Sequence, residues 1–334
     1  MEPDRIQLAH GNGGRRMREL IRDIFARHLA NPLLDTDRDA SALPPIDGVP
    51  VITTDGFTVK PLEFPGGDIG SLAVHGTVND LAVAGAIPLY VSLNAFIEEG
   101  LPVATLDRLI ASLGKAAREA GVPVVCGDTK VVPRGEGAGL YLATTGIGVQ
   151  DAALDLDMAY IRPRDRILVS GPVGDHGTAV LLAREEFGLR SDLISDAASV
   201  LPLVQALRDI EGIRFLRDPT RGGLAAVLHE IGHATGFGAY LEQDAIPVRE
   251  AVASVCEILG YDPLHLACEG RVVAVVAPDA AMAALSAWRA LPQGEAAAIV
   301  GEIVDGPIRV VLRTPLGGER VVEELEDNPL PRIC

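Results

Sequence analysis

The sequence predicts a mixed α/β or α+β fold in two domains. Three observations carry that expectation. The chain has 334 residues, more than one ordinary domain needs. Short apolar runs of strand composition alternate with segments of helical periodicity in both halves. Turn residues, 36 Gly and 23 Pro, cut the chain into short elements throughout. With hydrophobic residues at 48% and aromatics at 4%, the core has to be built from Ala, Val, Leu and Ile.

The elements follow in order. His10-Gly11-Asn12-Gly13-Gly14 is a glycine turn. After it Met17, Leu20, Ile21, Ile24, Phe25 and Leu29 fall at helical spacing and give one apolar face. An acidic loop holds Asp35, Asp37 and Asp39. Residues 49–54 read as a strand ending at Asp55-Gly56. Pro65-Gly66-Gly67 leads into a small-residue helix over 69–84, whose Gly and Ala suit close packing on another backbone. A strand over 90–97 precedes a second amphipathic helix carried by Leu106, Leu109, Ile110, Leu113, Ala116 and Ala117. Residues 122–125 and 140–149 read as strands.

The polar, strand-poor stretch 151–165 marks the domain boundary, giving a first domain at 1–155, a second at 156–318 and a tail at 319–334. The second half repeats the alternation. A strand over 166–170 is followed by a glycine turn and a helix from about His176. A strand near 213–216 leads to the turn at 218–223 and to helices near Leu224 and Val248. A strand over 271–277, a helix reaching Trp288, and strands from Ala297 and Ile308 complete it. The tail is acidic from Glu323 to Asn328, and Pro329 and Pro331 exclude a helix before the final Arg332-Ile333-Cys334.

A net charge of −17 repels phosphate backbones and anionic lipid, so nucleic acid and membrane surfaces are excluded as main partners. A nucleotide remains compatible where a metal ion screens its phosphates. Met1 is followed by Glu2 and Asp4 rather than by a basic segment and an apolar run, so a cytoplasmic location is expected. The longest apolar stretch, 272–288, holds Pro278, Asp279 and Ser286. It reads as a strand followed by a helix, not as a membrane span. Cys126, Cys256, Cys268 and Cys334 show no CxxC spacing, which fits reduced thiols.

His229-Glu230-Ile231-Gly232-His233 matches HExxH, the helical zinc motif with Glu as base. The position of a third metzincin His is Ala239. Glu250 and Glu257 are the alternative third ligands, and Gly232 weakens the helix interior. A helix face is therefore favoured over a zinc hydrolase. No GxxxxGK[ST] is present, and no GxGxxG lies between a strand and a helix. Glycine turns nevertheless open helices at Gly11 to Gly14, Gly66-Gly67, Gly174 and Gly222-Gly223, where free N–H groups suit anions or simply turn the chain. Asp55, Asp80 and Asp128 fit either of two uses. Carboxylates of this kind gather around Mg²⁺ and nucleotide phosphates, and they also cap helices and make turns. Lys130 follows Asp128 closely enough to balance phosphate charge. Cys334 ends a Pro-stiffened tail, where a thiol suits covalent attachment of a group or simply a frayed end. A non-catalytic thiol carrier is the further alternative to an enzyme.

Several stretches carry a family resemblance. Ile52-Thr-Thr-Asp-Gly-Phe57, Phe64-Pro-Gly-Gly-Asp-Ile-Gly70, Gly76-Thr-Val-Asn-Asp80, Gly127-Asp-Thr-Lys-Val-Val132 and Thr144-Thr-Gly-Ile-Gly148 lie in the first half. Ser170-Gly-Pro-Val-Gly-Asp-His-Gly177, Arg217-Asp-Pro-Thr-Arg-Gly-Gly223, Cys268-Glu-Gly270 and Pro331-Arg-Ile-Cys334 lie in the second. In this order they resemble the HypE family of hydrogenase maturation factors, part of the PurM-like superfamily of ATP-using enzymes related to aminoimidazole ribonucleotide (AIR) synthetase. Selenophosphate synthetases share that superfamily but carry a reactive Cys or selenocysteine in a glycine-rich N-terminal segment, and 10–14 has none.

The resemblance implies a PurM-like homodimer, each chain pairing an N-terminal ATP-binding domain with a C-terminal AIR-synthase-related domain. It implies that Cys334 receives a carbamoyl group from the carbamoyltransferase HypF. ATP then drives its dehydration to a thiocyanate, and cyanide passes to iron on the HypC–HypD complex for the NiFe hydrogenase centre. Asp39, Asp55, Asp80 and Asp128 would take the Mg²⁺ and ATP role, with Gly11, Gly13 and Gly14 over the nucleotide. Lys130 and Glu269 would polarise and deprotonate the thiocarboxamide. The HExxH is a departure from that pattern, and so is the irregular loop around Asp37, which leaves Asp39 the loosest member of the set.

Overall fold

The computed structural model describes residues 5–184 and 188–326. They divide into two compact units, one of residues 5–81 and 86–150, the other of 82–85 and 151 onward.

The first unit opens with a helical run made of α1 (Arg15–Leu20), a π-helical segment (Ile21–Ala26) and α2 (Arg27–Leu29). The periodicity read from the sequence holds through the π segment, because Leu20, Ile24, Phe25 and Leu29 are all buried. Next come β1 (Pro50–Phe57), the small ribbon β2 (Glu63–Phe64) and β3 (Gly67–Asp68), α3 (Ile69–Val83), β4 (Ala86–Glu98), α4 (Val103–Glu119), β5 (Val124–Val132) and β6 (Leu140–Gln150). The main sheet has the order β1-β6-β4-β5, with β4 and β5 parallel and the other pairs antiparallel.

Burial alternates along these strands. Leu142, Thr144, Leu93 and Ala95 point to a covered face, while Ile52 and Phe96 point to an open one. The small-residue helix α3 lies on the covered face, where the Thr77 and Thr144 hydroxyls meet. A side chain at Gly70 would collide with the Leu109 carbonyl of α4, so the close approach read from composition is realised.

The second unit contains β7 (Arg166–Val169), α5 (Asp175–Ala183), α6 (Leu201–Gln205), β8 (Ile213–Arg217), α7 (Gly223–Thr235), β9 (Gly238–Glu242) and α8 (Glu250–Leu259). It continues with β10 (Val273–Val276), α9 (Ala281–Arg289), β11 (Ala298–Val304), β12 (Val310–Arg313) and β13 (Glu319–Val322). One seven-stranded sheet runs β13-β12-β9-β11-β7-β10-β8, antiparallel except for the β9–β12 pair. Both faces are covered. Ile167, Val169, Val273 and Val275 pack with Leu224, Leu228 and Ile231 of α7. Leu168, Ala274 and Val276 pack on the other side with Leu203 of α6 and Trp288 of α9. Trp288 donates its indole N–H to the Leu203 carbonyl at 3.0 Å. Strands buried on both faces read as continuous apolar runs, which is why 272–288 is the longest apolar stretch of the sequence. It is β10 followed by α9, and no helix among the described residues is long and apolar enough to cross a membrane.

Candidate functional site

Two of the predicted acids lie on the covered face of the first sheet. Asp55 pairs with Thr144 in the β1–β6 ladder, and its carboxylate lies beside Gly76 of α3. Asp80, one helical turn beyond Gly76, accepts a hydrogen bond from Thr53 Oγ1 at 2.9 Å. Asp55 and Asp80 therefore flank one edge of α3 at the β1 side of the sheet.

The other charged pair lies on the open face, at the opposite edge. Asp128 stands opposite Asn94 and Lys130 opposite Phe96, while Thr129 between them is buried with Ala95. Lys130 Nζ is 3.2 Å from Asp128 Oδ2, and the two side chains are 63% and 53% exposed. The strands expected over 49–54 and 122–125 both run on, through Asp55 to Phe57 and through Asp128 to Val132. Gly127 is the reason at β5. It pairs with Leu93, and a Cβ there would strike the Leu93 carbonyl, so the glycine allows close strand approach rather than a turn.

The glycine segment also reaches β5. A Cβ on Gly11 would sit 2.9 Å from Val131 Cβ, so only glycine lets the 8–11 turn press this close to the residue beside Lys130. Gly13 has φ +77, and Gly14 stands at the N-terminus of α1. A pocket at the β5 edge is lined by Phe25, Leu29, Leu34, Arg38, Asp39 and Asp128, apolar on one wall and charged on the other. That lining suits a flat heterocycle against the apolar wall and charged groups toward Asp39 and Asp128.

The four acids thus fall into two pairs, Asp39 with Asp128 and Asp55 with Asp80. Among the described residues no group of three His, Cys, Asp or Glu converges on one point. Mg²⁺ takes only one or two carboxylates when phosphate oxygens complete its shell, and each pair meets that count.

Glu269 belongs to the second unit and is 4% exposed. Its loop is held from beneath. The Asp196 carboxylate accepts from the backbone N–H groups of Glu269 and Gly270, at 3.3 Å each. Arg271 Nε lies 3.4 Å from Asp196, and Arg271 Nη2 lies 3.5 Å from Asp175, which also pairs with Arg249. Burial raises the Asp196 carboxyl above the usual carboxylate range, and Arg271 opposes that rise. Sequence reading missed Asp196, Asp175, Arg249 and Arg271. Asp196 lies in a stretch without regular structure, and only the neighbouring Ser170–Gly177 and Cys268–Gly270 motifs hint at it. Burial pushes the Cys268 thiol well above its ordinary value and Cys256 up to about 11, so neither is a thiolate at neutral pH. Cys334 lies outside the described residues.

The HExxH residues sit on α7 with their ring nitrogens engaged. His229 Nε2 bonds the Val322 carbonyl at 3.0 Å, His233 Nε2 lies 2.9 Å from Glu324 Oε2, and Glu230 pairs with Arg217. Ala239 is buried on β9, and Glu250 and Glu257 are exposed on α8.

Two family models match these units. "AIR synthase related protein, N-terminal domain" covers residues 38–150, and "AIR synthase related protein, C-terminal domain" covers 162–313. Fold and site thus define an AIR-synthase-related protein. The chain is 50% identical to carbamoyl dehydratase HypE of Azotobacter vinelandii over 333 residues, covering 98% of this chain and 97% of that one. A solved structure of hydrogenase maturation protein HypE in complex with ATP is 45% identical, with a TM-score of 0.93 over 98% of this chain and 99% of that one. A HypE–HypF complex matches at 44% identity and a TM-score of 0.80, covering 92% of this chain and 99% of that one. The chain belongs to the HypE family of carbamoyl dehydratases.

Proposed function

We propose that this protein is the ATP-dependent carbamoyl dehydratase of NiFe-hydrogenase maturation, which converts an S-carbamoyl group on Cys334 into a thiocyanate. The observation that carries the reading is full-length identity to carbamoyl dehydratases, joined by a solved relative that holds ATP. The chemistry follows from the leaving group. An amide oxygen departs poorly, so the carbamoyl oxygen first takes the γ-phosphoryl group of ATP. The nitrogen gives up its first proton as that bond to phosphorus forms, leaving an iminophosphate, which then loses phosphate as the remaining N–H proton leaves and the carbon–nitrogen triple bond forms.

Lys130 offsets the charge on the transferred phosphoryl group. Glu269, held in a fixed loop by Asp196, accepts a proton from the amide nitrogen. The Gly11–Gly14 segment lies over the nucleotide. Asp39, Asp55, Asp80 and Asp128 are the acids that would hold Mg²⁺, which offsets phosphate charge when bound.

HypF is the carbamoyl donor in this reading, supported by the solved complex of relatives, and the HypC–HypD complex receives the cyanide. A homodimer is supported by the open face of the first sheet, where Ile52, Ile87 and Phe96 are 72%, 41% and 39% exposed. A reducing, cytoplasmic setting keeps the Cys334 thiol free. The test is Mg²⁺-dependent ATP turnover by the carbamoylated protein. Wild type should release ADP in step with dehydration, and a folded Asp80→Asn variant should not. Equal turnover by both would remove Asp80 from the site.

A further inference from the structure

Two buried threonines on the covered face of the first sheet are served differently. Thr144 of β6 meets the Thr77 hydroxyl of α3, so its side chain is satisfied inside the protein. Thr129 of β5 is 6% exposed, and its Oγ1 is buried with no hydrogen-bond partner among the described residues. Its cross-strand neighbour on β4 is Ala95, which offers no polar side-chain atom. Its backbone N–H donates to Asp128 Oδ1 at 2.8 Å, a bond that engages the main chain and not the hydroxyl. A hydroxyl buried without a partner is costly, and native proteins keep few of them. Valine would fill the same space in a strand without that cost, so packing alone does not call for the oxygen.

The surroundings say where the oxygen is used. Thr129 lines the pocket at the β5 edge, together with Leu93 of β4 and with Phe25 and Leu29 of the N-terminal helical run. Leu93 and Ala95 are buried on the face to which Thr129 points, so the hydroxyl belongs to the apolar side of the cavity. Arg38 and Asp39 bring charge to the other side. The cavity measures about 120 Å³, about ten times what one water needs. β5 is the last strand in the sheet order, so a ligand at its edge meets residues of both faces, and Asp128 lines the same pocket. An apolar side that carries a hydroxyl suits a flat ring system with polar atoms at its rim, which is the nucleoside half of a nucleotide.

We propose that Thr129 is a nucleotide-binding residue whose hydroxyl bonds a polar atom of the nucleoside when ATP occupies the pocket at the β5 edge. The proposal rests on the ATP-dependent reading above and adds to it a group that holds the nucleoside rather than the phosphates. A threonine hydroxyl both donates and accepts, and it rotates to suit either kind of partner. Strand alternation then divides the work along β5. Asp128 and Lys130 present charge on one face, and Thr129 between them serves the nucleoside from the other.

The experiment measures ATP and ADP affinity by titration calorimetry, and the unfolding midpoint without nucleotide, for wild type, Thr129→Val and Thr129→Ser in the full chain. Valine keeps the shape and removes the oxygen, whereas serine keeps the oxygen. Thr129→Val should weaken ATP about tenfold, the scale of leaving one ligand group unpaired in a buried site. ADP should weaken by the same factor, since both nucleotides carry the nucleoside. Thr129→Ser should recover most of the affinity, and the midpoint of Thr129→Val should hold or rise. Equal affinity in wild type and Thr129→Val would overturn the proposal and leave the hydroxyl to an ordered water. A loss confined to ATP would move the contact to the γ-phosphate, and an equal loss in the serine variant would show that the oxygen is not responsible; either result overturns it. A midpoint lowered by several degrees in Thr129→Val would reveal a structural partner for the hydroxyl and would also overturn it. No ATP binding by wild type would remove the ATP-dependent reading itself, a result distinct from wild-type binding that valine leaves untouched.

Discussion

In the first unit Lys130 and Asp128 meet in the open, with side chains 63% and 53% exposed. In the second unit Asp175, Asp196 and Arg271 meet under cover, with side chains 2%, 0% and 10% exposed. The sheets explain the contrast. The first is four-stranded and packed by helices on one face, so its other face carries charges in solvent. The second is seven-stranded and packed on both faces, so the charges drawn under those layers are buried and must be paired. The first unit presents an exposed charged pair to solvent, whereas the second uses its buried charges to hold one loop and the Glu269 within it in place.

The largest expected effect falls on the buried side. Asp196→Ala strips the Glu269 and Gly270 N–H groups of their acceptor and leaves Arg271 short of a partner. Breaking such a buried pair costs about 3–5 kcal/mol. Denaturant titration should show this loss, and a loss below about 1 kcal/mol would mean that the network does not hold the loop.

Next comes an exception within the first unit. His75 of α3 is largely buried, its Nδ1 finds no hydrogen-bond partner among the described residues, and burial holds its pKa down to about 4. An unfolded His titrates near 6.5, so below that pH the unfolded chain binds the extra proton first. Stability should be full above about pH 6.5, fall as pH drops toward 4, and level off below it, by up to about 3 kcal/mol. His75→Asn should flatten that slope. An unchanged slope would place the titrating group elsewhere.

The smallest of the three separates activity from stability. Lys130→Ala should lower ATP-driven dehydration about 100-fold, the scale of losing one charge-stabilising donor. An exposed pair contributes at most about 1 kcal/mol, so the unfolding midpoint should barely move. A large stability loss with normal turnover would reverse the roles assigned to the two units.

The contrast also explains what the sequence made legible. Amphipathic α4 was readable because Leu106, Leu109, Ile110 and Leu113 share one buried face. The β10–α9 stretch was readable because Pro278 and Asp279 interrupt it. The mixed fold class followed from such elements. Asp128 and Lys130 were readable as close in sequence, but that they share one face follows from β5 running on to Val132, past the 122–125 read from the sequence. That Asp55 and Asp80 would lie across the sheet from them was not readable, since strand order is fixed by long-range pairing. Asp196 was invisible for the same reason: its partners are backbone groups more than seventy residues away. His229 and His233 were visible as a motif, but their use depends on a strand end that returns from far along the chain.

The central claim is that Cys334 carries the group that ATP dehydrates. Intact-mass measurement of the protein incubated with HypF, carbamoyl phosphate and ATP tests it directly. The account predicts a carbamoyl adduct that loses the mass of one water when ATP is present, both changes mapping to Cys334 and both absent in a Cys334→Ala variant. An adduct that persists unchanged with ATP, or one that maps to Cys126, Cys256 or Cys268, would contradict it.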